Sequence, residues 1–368
     1  MVLYKGGFPC CRSSRTAGQS SSPDLVNMVA IKDVQVSNSR IKSTFPSGLV
    51  AVFVGSTSGI GAYGLKEFTH RTHKPRIYFV GRSRESADRV LNDLKSLNPD
   101  GEYIFLKCDT SLLHNVDDLC RDIKSRESSI NILFMSQGTL KFNAGTIEGL
   151  DYLAAVAYFG RIRIISNLLP LLRAATSLRR VVSVFAGSFE GLVFPDHWDC
   201  REVPMSKSRG HMTSMMTMAH LKLAEQAPEV SFVQNYPGAV STNLLRGDEG
   251  IMMLLMAPIF PILTWLRVLP PVSKKECGER QTYHCTSAMY PARDIKGNQG
   301  VSLVDGVQVA PGVDGKVGSG VYSVFWDGEG GKQETVKWIK EFVEAGLVDD
   351  LWAYTVGEFE RITGKKEI

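Results

Sequence analysis

The residues best suited to chemistry lie early in the chain, in Val50-Ala51-Val52-Phe53-Val54-Gly55-Ser56-Thr57-Ser58-Gly59-Ile60-Gly61. Five apolar residues predict a buried parallel strand. Gly55, Ser58, Gly59, Ile60 and Gly61 then predict a tight turn that opens into an amphipathic helix over residues 62–68. Glycine turns sharply and leaves no Cβ between the backbone and a diphosphate. The free N–H groups and positive dipole end of the helix face the same anion. A glycine triplet alone says little, and an ordinary glycine-rich βα loop is the plain alternative. Strand, turn and helix in this order predict a dinucleotide site.

The spacing Gly-x-x-x-Gly-Ile-Gly resembles the short-chain dehydrogenase/reductase family, and further segments extend the resemblance in order. Arg76-Ile77-Tyr78-Phe79-Val80-Gly81-Arg82-Ser83 looks like the second strand, which in such proteins ends at the adenosine ribose. An acidic residue there would bond the 2′-hydroxyl and repel a 2′-phosphate. This chain has Arg82, Ser83 and Arg84 instead, so the resemblance implies NADP as cofactor; a solvated loop cation is the alternative for Arg82. Phe105-Leu106-Lys107-Cys108-Asp109-Thr110-Ser111 resembles the third strand, with Asp109 and Thr110 at the family's adenine contact. Residues 130–134 form a fourth apolar strand before Met135-Ser136-Gln137-Gly138, which stands where the family has Asn-Asn-Ala-Gly; Ser136 and Gly138 are implied cofactor contacts. Asn235-Tyr236-Pro237-Gly238-Ala239-Val240-Ser241-Thr242 is similar to the loop that closes over the nicotinamide carboxamide. Pro237, Gly238, Val240 and Thr242 are its matching residues, although proline and glycine also suit a purely structural turn.

The resemblance covers residues 48–245 and fails at the proton chemistry. In the family a Tyr donates a proton to the substrate carbonyl, a Lys four residues later lowers its pKa, a Ser orients the carbonyl and an Asn holds a relay water. Counting back from Pro237 places the Tyr at Lys207 and the Lys at His211; Ala186 takes the Ser position and Ala157 the Asn position. One reading is a pocket rebuilt from neighbours. His211, which titrates near neutral pH, and Ser188, two residues past Ala186, are then the candidate catalytic groups. A partly exposed helix residue and a loop hydroxyl bonded to its own backbone are the alternatives. Another reading is a protein that binds NADPH and shapes its substrate without the family relay, since the cofactor carries the hydride step. The same pocket could guide a rearrangement or cyclisation, or the protein could be a scaffold without turnover.

Composition agrees with an enzyme that has a full core. The 368 residues are 43% hydrophobic with a net charge of +4, and no basic block or aromatic-interleaved cationic stripe points to nucleic acid. Seven scattered cysteines without a C-x-x-C pair suit free thiols in a reducing compartment, and a cytoplasmic location is expected. His197 and Cys200 are three apart with no further zinc ligands nearby, so no metal is expected. Residues 1–27 are Ser-rich and nearly acid-free, without a signal-length apolar run. They read as a disordered leader, with an organellar transit segment as the lesser reading and Met28 as a candidate start.

Strands and helical runs alternate to about residue 245, which predicts a doubly wound α/β fold with a parallel sheet. Residues 28–245 are expected to form the dinucleotide-binding domain, 246–300 an apolar substrate lid and helix, and 301–368 a strand and helices completing the same domain. Met212, Met215, Met216 and Met218 suit either core packing or a pliable substrate wall. Residues 251–266 carry no charge but include Pro258 and Pro261, and are too short to span a bilayer. In the family this region is the mobile lid, and such a greasy lid implies a bulky lipophilic substrate; a shallow membrane contact is the rival reading. The narrower resemblance is to divergent fungal members of secondary-metabolite pathways. It rests on Arg180-Val181-Val182-Ser183-Val184-Phe185-Ala186-Gly187, on Ile31-Lys32-Asp33-Val34-Gln35 and on the lid. It implies an oxidoreductase for a terpenoid or polyketide ketone or alcohol. Many relatives pair long helices into homo-oligomers.

Overall fold

The computed structural model describes residues 29–240 and 271–368. Helices α1 (Ile31–Ser39) and α2 (Ile41–Thr44) lead into β1 (Val50–Val54). Val52 and Val54 enter one apolar core and Ala51 and Phe53 the other, so the unbroken apolar run belongs to a strand covered on both faces. Three crossovers follow: α3 (Gly59–Arg71) to β2 (Arg76–Gly81), α4 (Arg84–Leu97) to β3 (Glu102–Lys107), and α5 (Leu113–Arg126) to β4 (Ile132–Met135). Helix α4 starts where Ser83 accepts a hydrogen bond from the Ser86 N–H, and it buries Ala87, Val90 and Leu94 at helical spacing.

The short α6 (Tyr152–Ala154) runs through a π-helical stretch, Ala155–Phe159, into α7 (Gly160–Ala174). Gly160 is required there, because a Cβ would stand 2.3 Å from the Thr110 carbonyl oxygen. The span Tyr152–Ala174 is long and apolar enough to cross a membrane, yet 83% of its most apolar window is buried inside the fold. It is a core helix. After β5 (Arg180–Val184), α8 (Met205–Gln226) and β6 (Ser231–Asn235), a two-residue parallel pair forms between β7 (Ala239–Val240) and β8 (Pro271–Val272). Then come α9 (Lys274–Thr286), β9 (Val321–Val324), α10 (Gln333–Glu344) and α11 (Leu347–Thr363). Gly346, at φ 73°, makes the break between the last two helices.

The strands form one parallel seven-stranded sheet in the order β3-β2-β1-β4-β5-β6-β9. Strand β9 pairs with β6, so the late segment adds the edge strand of this sheet. The order reverses between β1 and β4, and such a switch point opens a crevice at the C-terminal ends of the strands. Met215, Met216 and Met218 are fully buried on the α8 side of the sheet, which makes them core residues rather than a substrate wall. Residues 1–28, Thr242 and the apolar stretch 251–266 lie outside the described residues.

Candidate active site

At the switch point the chain builds a 210 Å³ cavity lined by Gly55, Ser58, Gly59, Ile60 and Gly61 on one side and by Arg82, Asp109, Thr110, Ser136 and Gly138 on the others. Gly55 and Gly59 hold φ of 78° and 58°, a region that favours glycine. A Cβ on Gly55 would lie 2.4 Å from the Gln137 nitrogen, and one on Gly61 2.3 Å from Ser136 Oγ and 2.5 Å from the Gly55 carbonyl oxygen. Helix α3 starts at this turn, and Ser58, its N-cap, makes no capping bond with its side chain. A turn with no Cβ at Gly55, Gly59 and Gly61, closed by a helix N-terminus that no side chain caps, fits a diphosphate.

The adenosine end is set by β2 and β3. Arg82 is exposed at the cavity rim and donates to the Tyr152 hydroxyl at 3.1 Å, whereas Arg84 is paired with Asp88 at 3.0 Å. Of these two arginines, Arg82 is thus the one without an acidic partner. Tyr152 also lines the cavity, a residue the motif pattern did not single out; its signal is the Asp151 cap that begins its helix. Asp109 accepts from the Ser111 backbone N–H and hydroxyl, which fixes its carboxylate at the cavity wall. Ser83 is the correction on this side. Its hydroxyl caps α4, and it does not line the cavity.

The far end is shaped by the end of β4. Arg161, buried in α7, donates to the carbonyl oxygens of Met135 and Gln137 and stacks on Phe185 at 5.8 Å. Burial lowers its pKa to about 9. This guanidinium holds the strand end on which Ser136 and Gly138 stand, while Ser136 Oγ lies 3.2 Å from the Gly55 carbonyl oxygen. Pro237, Gly238 and Val240 do not line the cavity. Gly238 turns at φ 77° against Val272 and Trp326, and Val240 packs with Val272, Cys277, Ile60 and Tyr63 beside the start of α3.

The structure separates both proposed catalytic groups from this cavity. His211 is fully buried and stacks on Trp198 at 5.8 Å. Its Nδ1 accepts from the Phe194 N–H and its Nε2 faces the His197 carbonyl oxygen, each at 3.2 Å, so one neutral tautomer satisfies both nitrogens. Burial holds its pKa down at about 4. It is a buried residue held by two backbone partners and kept neutral at neutral pH. Ser188 sits at φ 67°, its N–H donating to Ser323 Oγ at 2.7 Å and its hydroxyl to the Ser323 carbonyl at 3.4 Å. It ties the loop after β5 to β9. Lys207 is exposed near the start of α8, beside a separate hollow formed with Phe189, Gly191 and Trp338. Among the described residues no group of three metal-ligating side chains occurs, and Cys200 is a free thiol.

A parallel seven-stranded sheet with a glycine cradle at its switch point defines a Rossmann-type dinucleotide-binding protein. Over residues 49–249 the chain matches the family model described as short chain dehydrogenase. It is 35% identical over 335 residues to the oxidoreductase AN1596 of Emericella nidulans, covering 89% of this chain and 97% of that one. To the oxidoreductase andH of Emericella variicolor it is 34% identical over 345 residues, with 92% and 99% covered. To the short-chain dehydrogenase/reductase SAT2 of Stachybotrys chartarum it is 30% identical, with 76% and 83% covered. The L-sorbose reductase of Gluconobacter frateurii, solved with NADPH and L-sorbose, shares the fold at a TM-score of 0.51 and 17% identity, over 69% of this chain and 97% of that one. The chain belongs to the short-chain dehydrogenase family and is an oxidoreductase of it.

Proposed function

We propose that the protein is an NADP-dependent reductase or dehydrogenase for a bulky lipophilic ketone or alcohol, in the terpenoid or polyketide chemistry of a secondary-metabolite pathway. The observation that carries the cofactor choice is Arg82, exposed at the cavity rim and held only by a neutral phenol, where an acidic residue would select the unphosphorylated ribose. When bound, NADPH supplies the hydride. The protein's own residues then bind and orient. The turn 55–61 would hold the diphosphate, Arg82 the 2′-phosphate and Asp109 the adenine, while Arg161 fixes the strand end that carries Ser136 and Gly138. The charge-free stretch 251–266 supports a lipophilic substrate. The relatives that match most of this chain are named as oxidoreductases, which favours redox chemistry over a non-redox rearrangement or a scaffold.

Ala157 and Ala186 cannot hold a water or orient a carbonyl, so small unactivated ketones are expected to be poor substrates. NADPH consumption with acetophenone should run at least about 10²-fold slower than with polycyclic terpenoid ketones, the cost of a reactant held about 1 Å out of place. Equal rates on both, measured at 340 nm, would contradict a pocket that selects by bulk.

A further inference from the structure

The family's proton donor is missing from α8, but a phenol reaches the same face of the sheet from β6. Tyr236 and Tyr354 are described tyrosines whose hydroxyls make no hydrogen bond, and Tyr354 belongs to the outer helix layer on α11, against Phe159. Tyr236 follows the last residue of β6. Strand alternation puts it on the side of Phe232 and Gln234, and Gln234 Nε2 bonds the Thr213 carbonyl of α8.

Its ring is held from two sides, edge-on to Phe189 at 5.0 Å and stacked on Phe325 at 5.6 Å. Arg209, on α8 midway between the two family positions at Lys207 and His211, lies over Phe189 at 4.1 Å; Lys332 lies over Phe325 at 3.6 Å. The chain turns immediately afterwards at Pro237-Gly238. Tyr236 is therefore a half-buried, oriented phenol beside a cation, at the C-terminal end of β6, next to the edge strand β9, and its neighbours Phe189 and Arg209 line the hollow beside Lys207.

We propose that Tyr236 is the proton donor of carbonyl reduction in this protein, supplied from β6 in place of the family's tyrosine on α8. The proposal rests on the cofactor reading above. Reduction of a ketone takes one hydride at carbon, from the bound reduced nicotinamide, while the C=O π pair moves to oxygen. That oxygen takes the Tyr236 proton, giving the alcohol and the oxidised cofactor, and the phenolate recovers a proton from water at its half-exposed position. Burial raises the phenol's pKa with Arg209 opposing, so it enters the reaction protonated at neutral pH.

The test compares Tyr236→Phe and Tyr354→Phe with the unmodified protein. The readouts are NADPH titration, reduction of 9,10-phenanthrenequinone, and tetranitromethane nitration mapped by peptide mass spectrometry with and without saturating NADP+. Expected for Tyr236→Phe are NADPH affinity within twofold and turnover lowered by about 10²–10⁴-fold, the contribution of a positioned acid. Tyr354→Phe should be unchanged. NADP+ should suppress nitration of Tyr236 severalfold in the unmodified protein, a readout that holds even if the quinone is not turned over. Wild-type turnover by Tyr236→Phe, or nitration of Tyr236 indifferent to NADP+, would overturn the proposal while leaving the cofactor reading intact. Failure of the unmodified protein to bind NADPH would overturn both.

Discussion

Gly61→Ala is expected to lower NADPH affinity by about 10²–10⁴-fold. The added Cβ would meet Ser136 Oγ at 2.3 Å and the Gly55 carbonyl at 2.5 Å. Of these, the Gly55 carbonyl is backbone within the turn itself, so the turn must move. Each N–H bond to a phosphate is charge-assisted and contributes about 1.5–3 kcal/mol; displacing two removes about 3–6 kcal/mol of binding. The fold should lose only about 1–3 kcal/mol, the usual effect of one methyl group forced into a packed site. Fluorescence titration and urea unfolding separate the two effects. Unchanged affinity with a normal unfolding curve would mean that the glycine turn does not hold the diphosphate.

The second large effect is loss of stability in mild acid. Burial lowers the pKa of His211 to about 4 and those of His220 and His284 to about 3, with Arg161 adding to the shift of His220 and Arg280 and Arg180 to that of His284. Neither ring nitrogen of His220 has a hydrogen-bond partner, nor has Nδ1 of His284, so a charge on either ring would be poorly compensated. The sign follows from the lowered folded-state values. Above pH 6.5 each imidazole is neutral in both states. Below it the unfolded chain takes up protons that the folded chain refuses, and stability falls until the folded values are reached. Each histidine loses about 1.4 kcal/mol per pH unit, hence about 2 kcal/mol by pH 5 and about 6 kcal/mol for the three. Glu190, buried with its pKa raised, works in the opposite direction and offsets part of this. Urea unfolding at pH 7.5 and pH 5.0 measures the difference. Stability equal at the two values would show that these imidazoles accept protons in place.

The sheet and cradle were legible because local signals coincide there. An apolar strand, a turn that needs glycine and a helix start follow one another within twelve residues, and β2, β4 and β6 end on motifs of the same kind. Residue type misled where burial decides the chemistry. His211 has the side chain of an acid–base group, yet two backbone partners and Trp198 fix it in one neutral form. Ser188 looked like a displaced catalytic hydroxyl, yet its left-handed backbone bonds it to Ser323. Arg161 and Tyr236 show the reverse case. An arginine in an apolar helix gives no sequence hint that it will grip two carbonyls at a strand end. A tyrosine before Pro-Gly gives none that Phe189 and Phe325, distant in sequence, will orient its ring. The π-helical stretch at Ala155–Phe159 has no periodicity that sets it apart from the helix it joins.

The central claim is that the cradle at the switch point takes NADPH and that Arg82 selects it. Calorimetric titration of the unmodified protein and of Arg82→Asp with NADPH and NADH tests it most directly. One site per chain is expected, with NADPH favoured by about 10–100-fold, as one charge-assisted contact of about 1.5–3 kcal/mol allows. The preference should reverse in Arg82→Asp. NADH binding as tightly as NADPH to the unmodified protein would contradict the account.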